Sequence, residues 1–173
     1  MKIGIDISQM AYENTGVANY LGNLIDKLQK MDNKNEYILF YSSLRKNLAS
    51  PTYGHNVSVK KFKMPPGLLD ILWNRLHIFP IERFIGDVDV FISSDWTEPP
   101  AIKAKKATIL YDLIVYKYPK ETDSKIIATQ KRKLKWVKKE CALIFCISES
   151  TKRDAIEILG IEEKRLKVVY PGI

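Results

Sequence analysis

Short apolar runs alternate with amphipathic stretches from one end of this chain to the other. Residues 2–7 (KIGIDI), 36–42 (EYILFYS), 57–62 (VSVKKF), 87–93 (DVDVFIS), 107–111 (ATILY), 143–147 (LIFCI) and 167–170 (KVVY) read as strands. Val17, Tyr20, Leu21, Leu24, Ile25, Leu28 and Met31 recur at helical spacing and predict an amphipathic helix after the first strand. Residues 68–85 are helical in pattern but interrupted at Pro80. A helix of about 18 residues is expected after Pro119, ending near Glu140. Another over 149–159 should stop at Gly160, a common capping residue.

Several strands are continuous apolar runs, as expected when both faces of a sheet are covered. The pattern therefore predicts an α/β fold: a doubly wound, mostly parallel, Rossmann-like sheet with helices on both faces. Ligands on such sheets bind beyond the carboxyl ends of the strands. The loops after residues 7, 93, 111 and 147 become the places to seek chemistry. Residues 1–170 make one domain. A strand running straight into Pro171-Gly172 reads as the start of an interdomain linker at 171–173.

Composition sharpens this picture only in part. The 173 residues are 46% hydrophobic and 28% charged, a globular balance. Asp6 interrupts what would be a signal-peptide run, and no apolar stretch reaches the roughly 18 residues of a membrane span. A cytoplasmic location is expected, with peripheral contact at the inner membrane face. Cys141 and Cys146 sit in an apolar run without zinc-ligand spacing, so they read as reduced core residues and no metal is expected. His55 and His77 lie far apart and receive no role.

The net charge of +8 is unevenly placed. Residues 1–100 carry 11 basic and 11 acidic side chains, whereas residues 101–173 carry 17 and 9. A one-sided basic field suggests an anionic partner. Lys131, Lys135 and Lys138 cluster beside the apolar stripe of Ile127, Gln130, Leu134, Val137 and Cys141, with Trp136 next to them. An exposed Trp beside lysines suits an anionic membrane surface; a solvated face is the alternative. No base-stacking platform accompanies the charge, so nucleic acid is not expected.

Four loops carry candidate chemistry. Asn14-Thr15-Gly16-Val17 lies at the start of a helix whose free N–H groups could meet an anion, although a turn needing glycine is the simpler explanation of Gly16. Asp95, Trp96 and Glu98 follow a strand and would suit a sugar, with carboxylates for hydroxyls and a ring for stacking; an ordinary polar loop is the alternative. Tyr111-Asp112 ends a buried strand where α/β enzymes hold catalytic groups, or Asp112 caps a turn. Ser148 is a helix cap that could also touch a ligand.

Together, KIGIDIS…TGVANYLGNLIDKL, DVDVFISSDW, ATILYDLIVYKYP and ALIFCISESTKRDAIEILGIEEKRLKVVYPGI resemble the N-terminal domain of the retaining family 4 glycosyltransferases of the GT-B fold. The resemblance implies transfer of a sugar from a nucleotide-sugar donor to a glycan or lipid-linked acceptor, usually without a metal. This domain would hold the acceptor, and a C-terminal domain would bind most of the donor, so the fragment alone should be inactive. No cofactor is implied beyond the donor as co-substrate. Asp112 and Tyr111 would be catalytic. Thr15, Gly16 and Val17 would approach the donor phosphates. Asn14, Asp95, Trp96, Glu98 and Ser148 would face the acceptor. Lys131, Lys135, Trp136 and Lys138 would dock on a membrane. Two departures stand out: Tyr111 replaces the usual His, and Ala18 stands where a second glycine is common. Glu149 and Glu157 match the spacing of the family's acidic pair but lie on a predicted helix, and are rejected as that motif. A non-enzymatic glycan- or phosphate-binding module is the alternative reading.

Overall fold

The computed structural model describes residues 1–48 and 53–172. Seven strands form one parallel sheet: β1 (Lys2–Asp6), β2 (Glu36–Ser42), β3 (Val57–Phe62), β4 (Val90–Ser93), β5 (Lys105–Leu110), β6 (Leu143–Cys146) and β7 (Leu166–Val168). Their order is β3-β2-β1-β4-β5-β6-β7, so the winding reverses between β1 and β4. This is the expected doubly wound α/β architecture. Gly4 serves it directly, because a Cβ there would lie 2.7 Å from Ile85 Cδ1 and 2.9 Å from Phe91 Cδ2.

Helix α1 (Gly16–Met31) covers one face. Thr15 caps it by accepting the Ala18 amide at 3.2 Å, and Leu21 and Ile25 enter the core. Met31, placed on the buried stripe by spacing alone, is 83% exposed because it sits in the last turn, beyond the sheet's cover. The opposite face is covered in two parts. Trp73, Ile81 and Ile85 pack on Phe40 and Phe91. Leu134, Val137, Cys141, Ala155 and Leu159 pack on Leu110, Ile144 and Cys146. Both cysteines are free and buried.

The interrupted helix is more broken than its pattern suggests. It consists of α2 (Pro66–Leu69), a π-helical segment Asp70–Arg75 and α3 (Glu82–Ile85). His77 and Phe79 between them have φ of 53° and 59°. Trp73 Nε1 donates to the Phe79 carbonyl at 3.0 Å, which helps hold this turn. Helix α4 (Ile114–Lys117) follows β5 and α5 (Ser124–Glu140) crosses behind it. Helix α6 (Glu149–Glu157) is capped by Ser148, and Gly160 takes φ 62° past its end. Ile173, the last residue of the expected linker, lies outside the described residues.

Candidate functional site

The carboxyl ends of β4 and β5 open into a cavity of about 180 Å³. Its polar lining is Asp95, Trp96, Tyr111, Asp112, Gln130 and Lys133. Ile114, Val115 and Ile126 supply an apolar wall. Four residues singled out by sequence, Asp95, Trp96, Tyr111 and Asp112, thus converge from two loops.

Each is held by local chemistry. Gln130 Nε2 donates to the Asp95 carbonyl at 3.1 Å and to its carboxylate at 3.3 Å. Burial pushes the Asp95 carboxyl above the usual range, against the pull of Lys133. Trp96 Nε1 donates to Gln9 Oε1 at 2.9 Å, and Asn74 donates to the Trp96 carbonyl at 2.9 Å. The Tyr111 hydroxyl meets Ser94 Oγ at 3.3 Å, and its ring packs edge-on against Tyr20. Burial drives that phenol well above its ordinary range, so it stays protonated. Asp112 is exposed and accepts the Ile114 amide at 3.0 Å, so it caps a turn while lining the cavity.

Lys133 and Gln130 were not singled out by sequence. Lys133 is 2% exposed, and its ammonium donates to the Ser94 carbonyl. A signal for it existed: it lies three residues after Gln130 and four before Val137, on the core-facing stripe. A lysine on such a stripe is buried unless it snorkels.

Other expectations need correction. Glu98 cannot face an acceptor, because it is 0% exposed. It pairs with Lys106 at 3.0 Å and accepts from the Ser93 hydroxyl. Lys106 also binds Glu140 at 2.8 Å, and Glu140 binds His77 at 3.0 Å. Burial would lower the Lys106 pKa, but the two glutamates hold it above its ordinary value. His77, given no role, stacks on Trp136 with centroids 3.6 Å apart and rings nearly parallel. Trp136 is therefore half-buried, with its Nε1 spent on the Asn74 carbonyl at 2.8 Å, rather than presented to solvent. Lys131, Lys135 and Lys138 are exposed as expected. Exposed apolar side chains instead flank His77: Leu76, Ile78 and Phe79.

The phosphate-loop candidates are less concentrated. Gly16 has no positive φ, and a Cβ there would touch nothing within 4 Å. The turn therefore does not need glycine at this position; the left-handed residue is Asn14, at φ 67°. Thr15 spends its hydroxyl on the Ala18 amide, removing one free donor from the helix start. Val17 packs toward the Tyr111 cluster. Ser148 caps α6 and meets Thr151, whose hydroxyl donates to the Tyr111 carbonyl at 3.0 Å. Asn14 and Ser148 do not line the cavity. Among the described residues, no group of three or more His, Cys, Asp or Glu is placed to hold a metal ion. No helix among them is long and apolar enough to cross a membrane.

No curated protein matches the sequence closely enough to be called a relative. A family profile does match, over residues 14–173, which takes in α1, six of the seven strands and every residue lining the cavity at the ends of β4 and β5. Its reach and the doubly wound sheet agree: the chain belongs to Glycosyltransferase Family 4.

Proposed function

We propose that this domain is the acceptor-binding half of a retaining glycosyltransferase, which moves a sugar from a nucleotide-sugar donor to a glycan or lipid-linked acceptor. The observation that carries the reading is the convergence of Asp95, Trp96, Tyr111, Asp112 and Lys133 on one cavity at the strand ends. Carboxylates and a phenol suit sugar hydroxyls, and an indole suits a sugar face. In the reaction the acceptor hydroxyl oxygen bonds to the donor's anomeric carbon as the bond to the diphosphate breaks, and the hydroxyl's proton leaves with the diphosphate. Asp112, at the open mouth, receives the hydrogen bond of the attacking hydroxyl. The protonated Tyr111 phenol orients a neighbouring oxygen. The donor nucleotide would be held mainly by a second domain, with Thr15, Gly16 and Val17 approaching its phosphates; no further cofactor is needed. Residues 1–170 act as this half, and residues 171–173 lead toward the other. The isolated half would be inactive.

Docking on an anionic membrane is part of this reading. Lys131, Lys135 and Lys138 supply charge, and Leu76, Ile78 and Phe79 supply the apolar contact that Trp136, covered by His77, does not. The cell location would then be the cytoplasmic side of a membrane.

A non-enzymatic glycan-binding module would use the same cavity, and Tyr111 in place of His favours it. Titration of the domain with glycans, lipid-linked sugars and nucleotide sugars, followed by amide chemical shifts, tests both. Shifts at Asp95, Trp96, Tyr111 and Asp112 with glycans, and weaker ones with nucleotides, support the acceptor role. Silence of these residues toward every sugar overturns it. Turnover by the chain joined to a donor domain separates enzyme from module.

A further inference from the structure

A second cavity shares the Trp96 wall. It measures about 40 Å³, and its polar lining beyond Trp96 is Asp6, Ser8, Gln9, Tyr12, Ser42, Ser43 and Thr97. These residues come from the ends of β1, β2 and β4, so the cavity lies at the point where the strand order reverses. Doubly wound sheets bind ligands at that point. Its size admits about three water-sized groups. That is too little for a sugar ring and enough for a hydroxymethyl arm or the hydroxyl edge of one.

The chemistry of its lining is selective. Asp6 is 4% exposed, and its Oδ1 accepts the Ser8 amide at 2.9 Å. A carboxylate offers about four acceptor sites, of which Ser8 takes part through its amide and hydroxyl, so capacity is left for a ligand. Burial holds its carboxyl above the usual range, against the pull of the Ser8 hydrogen bonds and Lys133. Gln9 spends its carbonyl on Trp96 and keeps its amide hydrogens. The Ser42 hydroxyl is already used on the Met64 carbonyl, the Ser43 hydroxyl accepts the Lys46 amide at 3.1 Å, and the Thr97 hydroxyl lies close by. A neutral hydroxyl, which both gives and accepts a hydrogen bond, fits this set. An ionised phosphate has no hydrogen to give and would leave the Asp6 carboxyl without a donor.

We propose that the acceptor spans both cavities across Trp96, with one sugar ring in the larger and a hydroxyl-bearing arm of the adjoining unit in the smaller. This rests on the reading that the larger cavity holds an acceptor sugar. It names the acceptor class as a neutral saccharide of two or more units. Gln9 is then a positioning residue, since it fixes the indole that both units touch.

The test compares methyl glycosides of glucose, galactose and mannose with disaccharides of the same sugars, using the 173-residue chain and amide chemical shifts. A monosaccharide should shift Asp95, Tyr111 and Asp112 and leave Ser8, Ser43 and Thr97 unmoved. A fitting disaccharide should also shift Ser8, Ser43, Thr97 and the Trp96 indole N–H, and bind about tenfold more tightly. Asp6→Asn should abolish that gain and spare monosaccharide binding. Ser43→Ala, at a half-buried position that the fold tolerates more readily, should reduce it in the same direction. Disaccharide shifts confined to the larger cavity, with affinity equal to the monosaccharide's, overturn the two-cavity proposal and leave the acceptor reading standing. Absence of shifts in both cavities with every saccharide overturns the two together.

Discussion

Asp95 and Glu98 stand three residues apart in one loop and meet opposite fates. Glu98 is sealed in a chain of charges: Lys106, Glu140 and His77 follow it in turn, and Trp136 closes the end. Asp95 opens onto a cavity beside Lys133 and Asp112. In the closed region each charge has a partner within 3.0 Å. In the open region Lys133 is held by a carbonyl, and the Asp95 carboxylate by the Gln130 carboxamide. Paired burial makes a scaffold, whereas under-paired burial leaves capacity for a ligand. The difference is the physical basis for seeking function on one side of the loop and not on the other.

The largest effect should come from breaking the closed side. Lys106→Met leaves Glu98 buried without its cation and should cost about 3–5 kcal/mol in denaturant unfolding. Adding Glu98→Gln should recover most of that loss, because the uncompensated charge is then gone. A Lys106→Met protein as stable as the parent would mean that the network is not a scaffold.

The same contrast separates Trp136 from the lysines around it. Reversing Lys131, Lys135 and Lys138 to Glu should weaken binding to vesicles rich in anionic lipid by about 100-fold or more, at about 1 kcal/mol per lost cation. Trp136→Phe should leave that binding unchanged, since its ring already faces His77. If instead the Trp136 variant alone releases the vesicles, the covered indole must leave its stack to reach lipid.

On the open side, Asp112→Asn in a protein carrying both halves should lower turnover by about 100-fold. Stability should change little, because Asn caps the Ile114 amide as Asp does. Unchanged turnover would remove Asp112 from the reaction.

The smallest effect concerns pH. The native Asp95 pKa is raised above 3.8, so the folded state holds its proton more tightly than the unfolded chain. Stability therefore falls as pH rises from 3.8 through the native value. Asp95→Asn should raise Tm slightly at pH 7, and that gain should vanish below pH 3.8. Glu140 behaves in the opposite way. Burial opposes its ionisation, but Lys106 and His77 outweigh that and hold it below 4.5. Its stabilisation is complete above pH 4.5 and is lost as pH falls through the native value. Acid-induced unfolding of the Glu140→Gln variant at the parent's midpoint would contradict this assignment.

Much of the fold was legible in the sequence. The pattern found all seven strands within a few residues; the inner ones are apolar runs, because a strand buried on both faces has little choice of side chain, whereas edge strand β3 shows only alternating half-buried and exposed positions at its start. Residues 68–85 read as a helix interrupted at Pro80, whereas the structure breaks residues 66–85 into three short pieces. Their breaks depend on Trp73 reaching the Phe79 carbonyl and on α5 packing against the π-helical segment, neither of which leaves a local pattern. At the site, Asp95, Trp96, Tyr111 and Asp112 were found because strand ends are where such sheets work. Lys133 was hidden inside a run of exposed lysines, and Gln9 and Asp6 carried no motif of their own.

The sequence by itself determined the alternation of strands and helices, the parallel sheet, the family and the loops at its carboxyl edge. These follow from periodicity and from ordered motifs, which are local properties of the chain. Only the tertiary structure decided which charges are sealed and which are open. The fate of Glu98 is set by Lys106 and Asn74, that of Trp136 by His77, and that of Trp96 by Gln9, 87 residues away. A side chain's solvation depends on neighbours brought from distant segments, so no local pattern could have assigned it.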